Sequence, residues 1–373
     1  MKRSIMNRRC VWMSLLMALV MVSCHSSKQA TSQAGKAGEK KYAVYSAAFY
    51  NLENVFDTIH DEGKNDYEYL PDGGMKWTSF KYEQKLEKMA YAISQLGTDE
   101  DPRGAACVGV SEVENIGCLY DLCRVLKDKY NRHYEPILLE GPDRRGVDVG
   151  FLYNPAMFKP VSTKGYELHA HYADGGVVRS RLQLWISGYM LDDNRKIVTD
   201  KLHISVNHWP SRYGGEESSR ATRDTAAMLC KNVCDSIYMK EPRAKIIVMG
   251  DLNDDPFNHS CAVVMGAKKT RKEVKEQGFF NTMWQKLDRG IGSLCYQGSW
   301  NLFDQIFISE PLMNAKLEDG KWVYWKSQIF NKPFLTVQEG KDKGTPLRTV
   351  KSGVWQNGYA DHYPTMIYLI KSK

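Results

Sequence analysis

The chain has 373 residues, 43% of them hydrophobic and 25% charged, with a formal charge of +7. This balance excludes a disordered or fibrous chain, and the length allows one large α/β domain or two smaller ones. The charge is not spread evenly: Lys2, Arg3, Arg8 and Arg9 carry four units, Lys28, Lys36, Lys40 and Lys41 against Glu39 carry three more, and residues 42–373 are neutral, without the broad basic excess of a nucleic-acid-coating surface.

In chain order, the basic start runs into CVWMSLLMALVMV, Cys10 to Val22, an apolar stretch too short for a comfortable membrane span. That order is an export signal, and its junction at Ser23-Cys24 resembles a bacterial lipoprotein signal, in which the cysteine becomes the lipid-bearing first residue. The resemblance implies a signal peptide over residues 1–23, lipidation of Cys24, and anchoring to the bacterial outer membrane on either its periplasmic or its outer face. A plain secretory signal or an uncleaved anchor is the alternative. From Cys24 to residue 41 the chain is rich in Ser, Ala, Gly, Gln and Lys and has no large apolar side chain, so it forms a flexible tether. Residues 42–373 follow as a single domain.

Within that domain, runs of β-branched and aromatic residues predict strands over Ala43–Tyr50, Ala106–Val110, Val147–Tyr153, Leu182–Met190, Leu202–Val206, Lys245–Met249, Phe303–Ile308 and Thr365–Ile370. Lys81–Leu96 puts Tyr82, Leu86, Met89, Ala90, Ile93 and Leu96 on one helical face and stops at Gly97; Leu119–Tyr130 and Ser219–Tyr238 read as helices too. Strands outnumber helices, and Leu182–Met190 is followed after a turn by another strand. A single doubly wound sheet fits this poorly; two packed mixed sheets with helices outside fit better. Seven cysteines lie beyond Cys24, an odd number that leaves at least one thiol without a partner in the domain, and neither CxxC nor HExxH occurs, which removes structural zinc and zinc-peptidase chemistry. Cys230 and Cys234 read as small core residues.

Polar residues gather at the strand ends. FYNLEN brings Asn51 and Glu53, VGVSEVEN brings Glu112, SVNHWPSR brings Asn207, His208 and Arg212, VMGDLNDDP brings Asp251 and Asn253, FDQIFIS opens on Asp304, and ADHYPT carries Asp361 and His362. Open α/β folds place their sites there, and carboxylates crowded at a strand end repel one another unless a cation or a proton offsets them. Singly, each position reads better as a turn residue, a cap or a core histidine. The ordered set carries the reading.

That set resembles the endonuclease/exonuclease/phosphatase superfamily, and NHWPSR, RRGVDVGFLYNP and GSWNLFDQIFIS resemble its bacterial extracellular-nuclease-like branch. The resemblance spans nearly all of residues 42–373. It implies the deoxyribonuclease-I-like fold: α/β, a four-layer sandwich of two mixed β-sheets face to face with helices on both outer sides. It also implies a metal-dependent phosphoesterase. In these terms Glu112 binds a divalent ion, Mg²⁺ or Mn²⁺, with Asn51 beside it and Glu53 and Asp361 as outer or second-ion ligands. Asp251 aligns and deprotonates the attacking water, and Asn253 donates to a phosphate oxygen. His362 contacts the phosphate with Asp304 holding its ring, and His208 protonates or stabilises the departing oxygen.

Arg145 and Arg212, with Asn207, are the candidate substrate contacts because their motifs adjoin the strand ends. Arg179, Arg181, Arg220 and Arg223 read as solvated or helix-paired cations. Asp148, in an apolar strand, reads as either a structural acceptor or a group behind the site. The branch resemblance implies nucleic acid as the phosphodiester substrate, with the membrane met only through the lipid and no protein partner inferred. A phospholipid or inositol-phosphate hydrolase and a non-catalytic binding lipoprotein are the alternatives, because one fold serves many substrates.

Overall fold

The computed structural model describes residues 42–172, 174–197 and 201–372; the signal peptide, the tether and Cys24 lie outside them. The first sheet contains β1 (Tyr42–Val55), β2 (Cys107–Val113), β3 (Glu135–Leu138), β4 (Asp148–Tyr153), β14 (Val323–Ile329) and β17 (Thr365–Ser372), ordered β14-β17-β1-β2-β4-β3. The second contains β5 (Phe158–Tyr166), β6 (Gln183–Met190), β7 (Leu202–His208), β8 (Lys245–Asp251), β9 (Ala267–Lys268), β10 (Phe279–Asn281) and β13 (Asp304–Ser309), ordered β5-β6-β7-β8-β13-β10-β9. Parallel pairing joins β1 to β2 and β7 to β8, while their other neighbours in the sheets run antiparallel, so both sheets are mixed. Two short hairpins, β11–β12 (Leu294–Tyr296, Ser299–Asn301) and β15–β16 (Val350–Lys351, Val354–Trp355), stand outside them.

Strand alternation decides which side chains meet which layer. In β8, Ile247 and Met249 join the core between the sheets, while Ile246 and Val248 join the core beneath α3 (Glu216–Lys240) with Ala226, Ala227, Cys230 and Cys234. The sheets approach closely at Gly109 of β2, where a β-carbon would stand 2.9 Å from the Met249 sulfur and 3.1 Å from Val206. On the other side α1 (Ser79–Gln95) and α2 (Ile116–Tyr130) cover the first sheet through Leu86, Met89, Ile93, Leu119 and Leu122. Each fully buried aliphatic side chain of this kind is worth roughly 1.5–3 kcal/mol. α1 ends where Gly97 turns left-handed at φ +76°, and α2 starts on the Asn115 side chain, which accepts from the Cys118 N–H at 3.0 Å. The result is helix, sheet, sheet, helix.

All eight predicted strands and all three predicted helices are present. The strands without a sequence prediction are β3, β5, β9, β10, β14 and the hairpin strands. All seven cysteines of the described residues are free thiols. Asp148 accepts from the Gly141 N–H at 2.9 Å and is buried, which makes it a structural acceptor.

Candidate active site

Three neighbouring strands of the second sheet finish level with one another. His208 at the end of β7 is in register with Asp251 at the end of β8, and Asp251 is in register with Asp304 at the start of β13. Facing them, β1 and β2 of the first sheet carry Asn51 and Glu112, where the pairing slips and the backbone turns left-handed at Glu53 (φ +50°), Asn54 (φ +59°) and Glu112 (φ +61°). Non-glycine residues in that region are strained, and such strain collects at functional sites. The twist aims the Glu112 carboxylate at the second sheet. Asn51 bridges the layers, its amide donating to Asp251 Oδ2 at 3.0 Å and to Glu112 Oε1 at 3.3 Å, while the Asn54 N–H donates to Glu112 Oε2 at 3.1 Å.

His362 arrives on the segment leading into β17. Its Nδ1 donates to Asp304 Oδ2 at 2.7 Å, and the Ser293 hydroxyl donates to the same oxygen, which fixes the ring and its tautomer. The other ring nitrogen lies 4.0 Å from Asp251 Oδ2, and His208 Nε2 lies 3.7 Å from that same oxygen and 3.9 Å from Glu112 Oε1. Asp251 therefore sits between two imidazoles of opposite character. Burial would lower the pKa of His362, but Asp304, Asp361 and Asp251 outweigh it and hold the ring charged. Burial, reinforced by Arg181, Arg145 and His362, drives His208 well down and holds it neutral. Burial lifts the Asp251 carboxyl to about 6, with Asp304 adding to the rise and His362, the Asn253 N–H and the Asn51 amide opposing it.

Glu112, His208, Asp251, Asn253 and His362 line one cleft of about 1120 Å³ together with Arg145 and Arg212. Several candidates are otherwise employed. Asn207 is fully buried on the opposite face of β7 from His208, bonding Ser205 and the Met249 carbonyl, so strand alternation removes it from the cleft. Glu53 is turned away as well: Arg348 Nε donates to one of its oxygens at 2.9 Å and the Thr349 N–H to the other at 2.6 Å. Its carboxyl is lifted to about 7 by burial and by Asp361, against the pull of Lys85 and Arg348. Arg212 reaches the cleft wall but spends its nitrogens on the Asn253 carbonyl, Glu216, Asp254 and Asn258. Asn253 gives one amide hydrogen to the Trp209 carbonyl at 2.9 Å. His208, expected to protonate or stabilise the departing oxygen, is the neutral ring of the pair.

Residues without a sequence signal complete the site. Arg348 ties Glu53 to Asp361, donating to the latter at 3.1 Å, and buried Lys85 secures the same segment through Thr349 and the Tyr359 carbonyl. Arg181, read as a surface cation, is buried in the cleft wall on Asp143 and the Trp209 carbonyl. Of the others, Arg179 also lines the cleft, Arg220 pairs with Glu217 and Asp224, and Arg223 is buried against Asp254. Single cations carry no periodicity, whether in a loop like Arg348 or in a helix like Lys85, and only the folded chain shows their partners.

The donor set suits a hard divalent cation. Asp251 and Asp304 bring carboxylate oxygens within 4.8 Å of one another, Glu112 adds a carboxylate joined to Asp251 through the Asn51 amide, and Asp304 Oδ1 is buried without a hydrogen bond. Two facing mixed sheets with acids and imidazoles at their strand ends are the architecture of the deoxyribonuclease-I-like class. A model of the endonuclease/exonuclease/phosphatase family matches residues 46–371, and the chain belongs to that family, whose enzymes hydrolyse phosphoric esters and in general depend on a divalent metal. A search of curated proteins gives no match.

Among solved structures, the chain resembles an endonuclease/exonuclease/phosphatase family protein from Bacteroides thetaiotaomicron at 13% identity and a TM-score of 0.50, over 89% of this chain and 99% of that one. It also resembles a humanized TDP2 from D. rerio at 13% identity and 0.50, over 87% and 98%. At that identity the likeness is one of fold.

Proposed function

We propose that the protein is a divalent-metal-dependent phosphodiesterase acting on nucleic acid, by in-line attack of water and without a covalent intermediate. The observation that carries this reading is Asp251, held between a neutral and a charged imidazole at the base of an arginine-walled cleft. With its carboxyl near 6, Asp251 is ionised at neutral pH yet more basic than an ordinary aspartate, so it can take the proton of a water attacking phosphorus. His362, charged and aimed by Asp304, faces the phosphoryl oxygens and stabilises the charge that builds on them. Neutral His208 orients the departing oxygen by hydrogen bonding. The chemistry supplied by bound Mg²⁺ or Mn²⁺ is neutralisation of the phosphoryl oxygens, and Glu112, positioned by the Asn51 amide and with Asp361 as an outer acid, would hold the ion.

The test is to incubate the full-length protein with plasmid DNA, RNA, phospholipid vesicles and bis-p-nitrophenyl phosphate, each with Mg²⁺, with Mn²⁺ and with chelator. Chelator-sensitive cleavage of nucleic acid is the expected result. Release of lipid head groups instead would transfer the activity to phospholipid, and silence on every substrate would leave a binding module. The chain is also proposed to be exported and anchored at the outer membrane through Cys24, on the strength of its first 24 residues. Labelled palmitate should enter the wild type and be lost in Cys24→Ala. Among the described residues no helix is long and apolar enough to cross a membrane.

A further inference from the structure

Three tyrosines line the cleft from three separate turns: Tyr172 inside the turn closed by the His171–Val177 bridge, Tyr213 just before α3, and Tyr296 at the tip of the β11–β12 hairpin. They are 43%, 87% and 65% exposed, so most of the burial that ordinarily holds a tyrosine ring is forfeited at the last two. Among the described residues none of the three stacks on another ring. Two of the rings are displayed by backbone that is tied down. Tyr213 sits in a turn closed by the Gly215 N–H donating to the Arg212 carbonyl at 2.9 Å, and Leu294 of the Tyr296 hairpin bridges directly to His362.

The same cleft carries a cation pair on one acid. Arg181 Nη1 lies 3.2 Å from Asp143 Oδ2, and Arg145 Nε lies 3.7 Å from Asp143 Oδ1. One carboxylate against two guanidinium groups leaves a positive excess. The Arg181 side chain is only 6% exposed, and its Nε has no hydrogen-bond partner. Arg145, with its side chain half exposed, presents a planar donor fork suited to phosphate, and Arg181, its terminal nitrogens held by Asp143 and the Trp209 carbonyl, adds a fixed positive charge behind it.

We propose that the cleft is built for a single-stranded nucleic acid, with unpaired bases stacked on Tyr172, Tyr213 and Tyr296 and a phosphate flanking the scissile one held by the Arg145–Arg181 pair. This rests on the phosphodiesterase reading and narrows its substrate. In a duplex both faces of each base are covered by neighbours, so protruding rings gain nothing; in a single strand every base offers a face, whatever the sequence. A local pair of arginines also reconciles nucleic-acid binding with a domain of zero net charge.

The test compares a short single strand, as DNA and as RNA, with the duplex of the same sequence and with an abasic strand of equal length. The expected result is a kcat/KM for the base-bearing single strand, DNA or RNA, roughly tenfold or more above that for duplex and abasic strand. The double variant Tyr213→Ala/Tyr296→Ala should erase that preference, and Arg145→Ala should weaken base-bearing and abasic strands alike. Equal use of base-bearing and abasic strands, or a preference that survives in the tyrosine variant, overturns the proposal. Fluorescence anisotropy of labelled strands in chelator judges it even if no bond is cut. Tighter binding of the base-bearing strand, lost in the tyrosine variant, upholds the proposal while failed hydrolysis removes only the phosphodiesterase reading; indifference to the bases sinks the proposal.

Discussion

The base of the cleft and its rim are built on different principles. At the base, His208, Asp251 and Asp304 are locked by strand register, buried, and joined across the sheets by Asn51. At the rim, Tyr213 and Tyr296 project from short turns into solvent. Chemistry is therefore fixed by the core, where a shift of one residue would rotate every side chain to the wrong face. Recognition rests on turns that can change without disturbing the sheets.

Breaking the base should have the largest effect. His362→Ala or Asp251→Ala should lower kcat by at least about a hundredfold in steady-state hydrolysis, and Asp304→Asn should approach the same loss by freeing the ring of His362. A variant keeping most of its turnover would remove that residue from its role. Next comes the brace behind the base. Arg348→Ala takes the guanidinium from buried Glu53 and should cost about 2–3 kcal/mol of stability in denaturant titration, with Glu53→Gln in the same background recovering much of it. Failure of the second change to compensate would show that the pair is not what matters.

A smaller effect isolates Asp148, which faces the Gly141 N–H and does not line the cleft. Burial lifts its carboxyl from 3.8 to about 7, against the Gly141 N–H and Lys64, so the folded state holds this proton more tightly than the unfolded chain does. Its contribution to stability is accordingly full below pH 4 and is lost as the pH rises toward 7. Relative to Asp148→Asn, the wild type should lose on the order of 2 kcal/mol between pH 5 and pH 7, and parallel melting curves for the two proteins would contradict this. The smallest change belongs to the rim: Arg145→Ala should raise KM about fivefold, near 1 kcal/mol, with kcat little altered, because its side chain is half exposed and screened. A fall in kcat matching that of His362→Ala would move Arg145 from rim to base.

The contrast between buried order and exposed variety also explains what the sequence made legible. The eight predicted strands are the ones with apolar runs, including the central members of both sheets. The missed β5 is an edge strand, FKPVSTKGY, mostly exposed, with Pro160 at a register slip. β3 and β14 are edges as well, and edges carry no apolar period to read. Of the site, the strand-end acids and histidines were legible because their spacing and order are local. Asn207 was misassigned because adjacency to His208 along the chain means opposite faces in the strand. Glu53 likewise lies two residues from Asn51, but the left-handed turn beginning at Glu53 breaks the alternation that would have kept them together. Arg348 and Lys85 act on partners far along the chain, 295 residues away for Arg348 and Glu53, and no local pattern announces such a contact.

The central claim is that strand ends distant in sequence hold one divalent cation beside His362, and the most direct test is binding of Mn²⁺ itself, followed by electron paramagnetic resonance of the full-length protein. The wild type should bind Mn²⁺, and Glu112→Gln should weaken that binding at least about tenfold while Asn207→Ala leaves it unchanged. Equal Mn²⁺ affinity in wild type and Glu112→Gln would contradict the account.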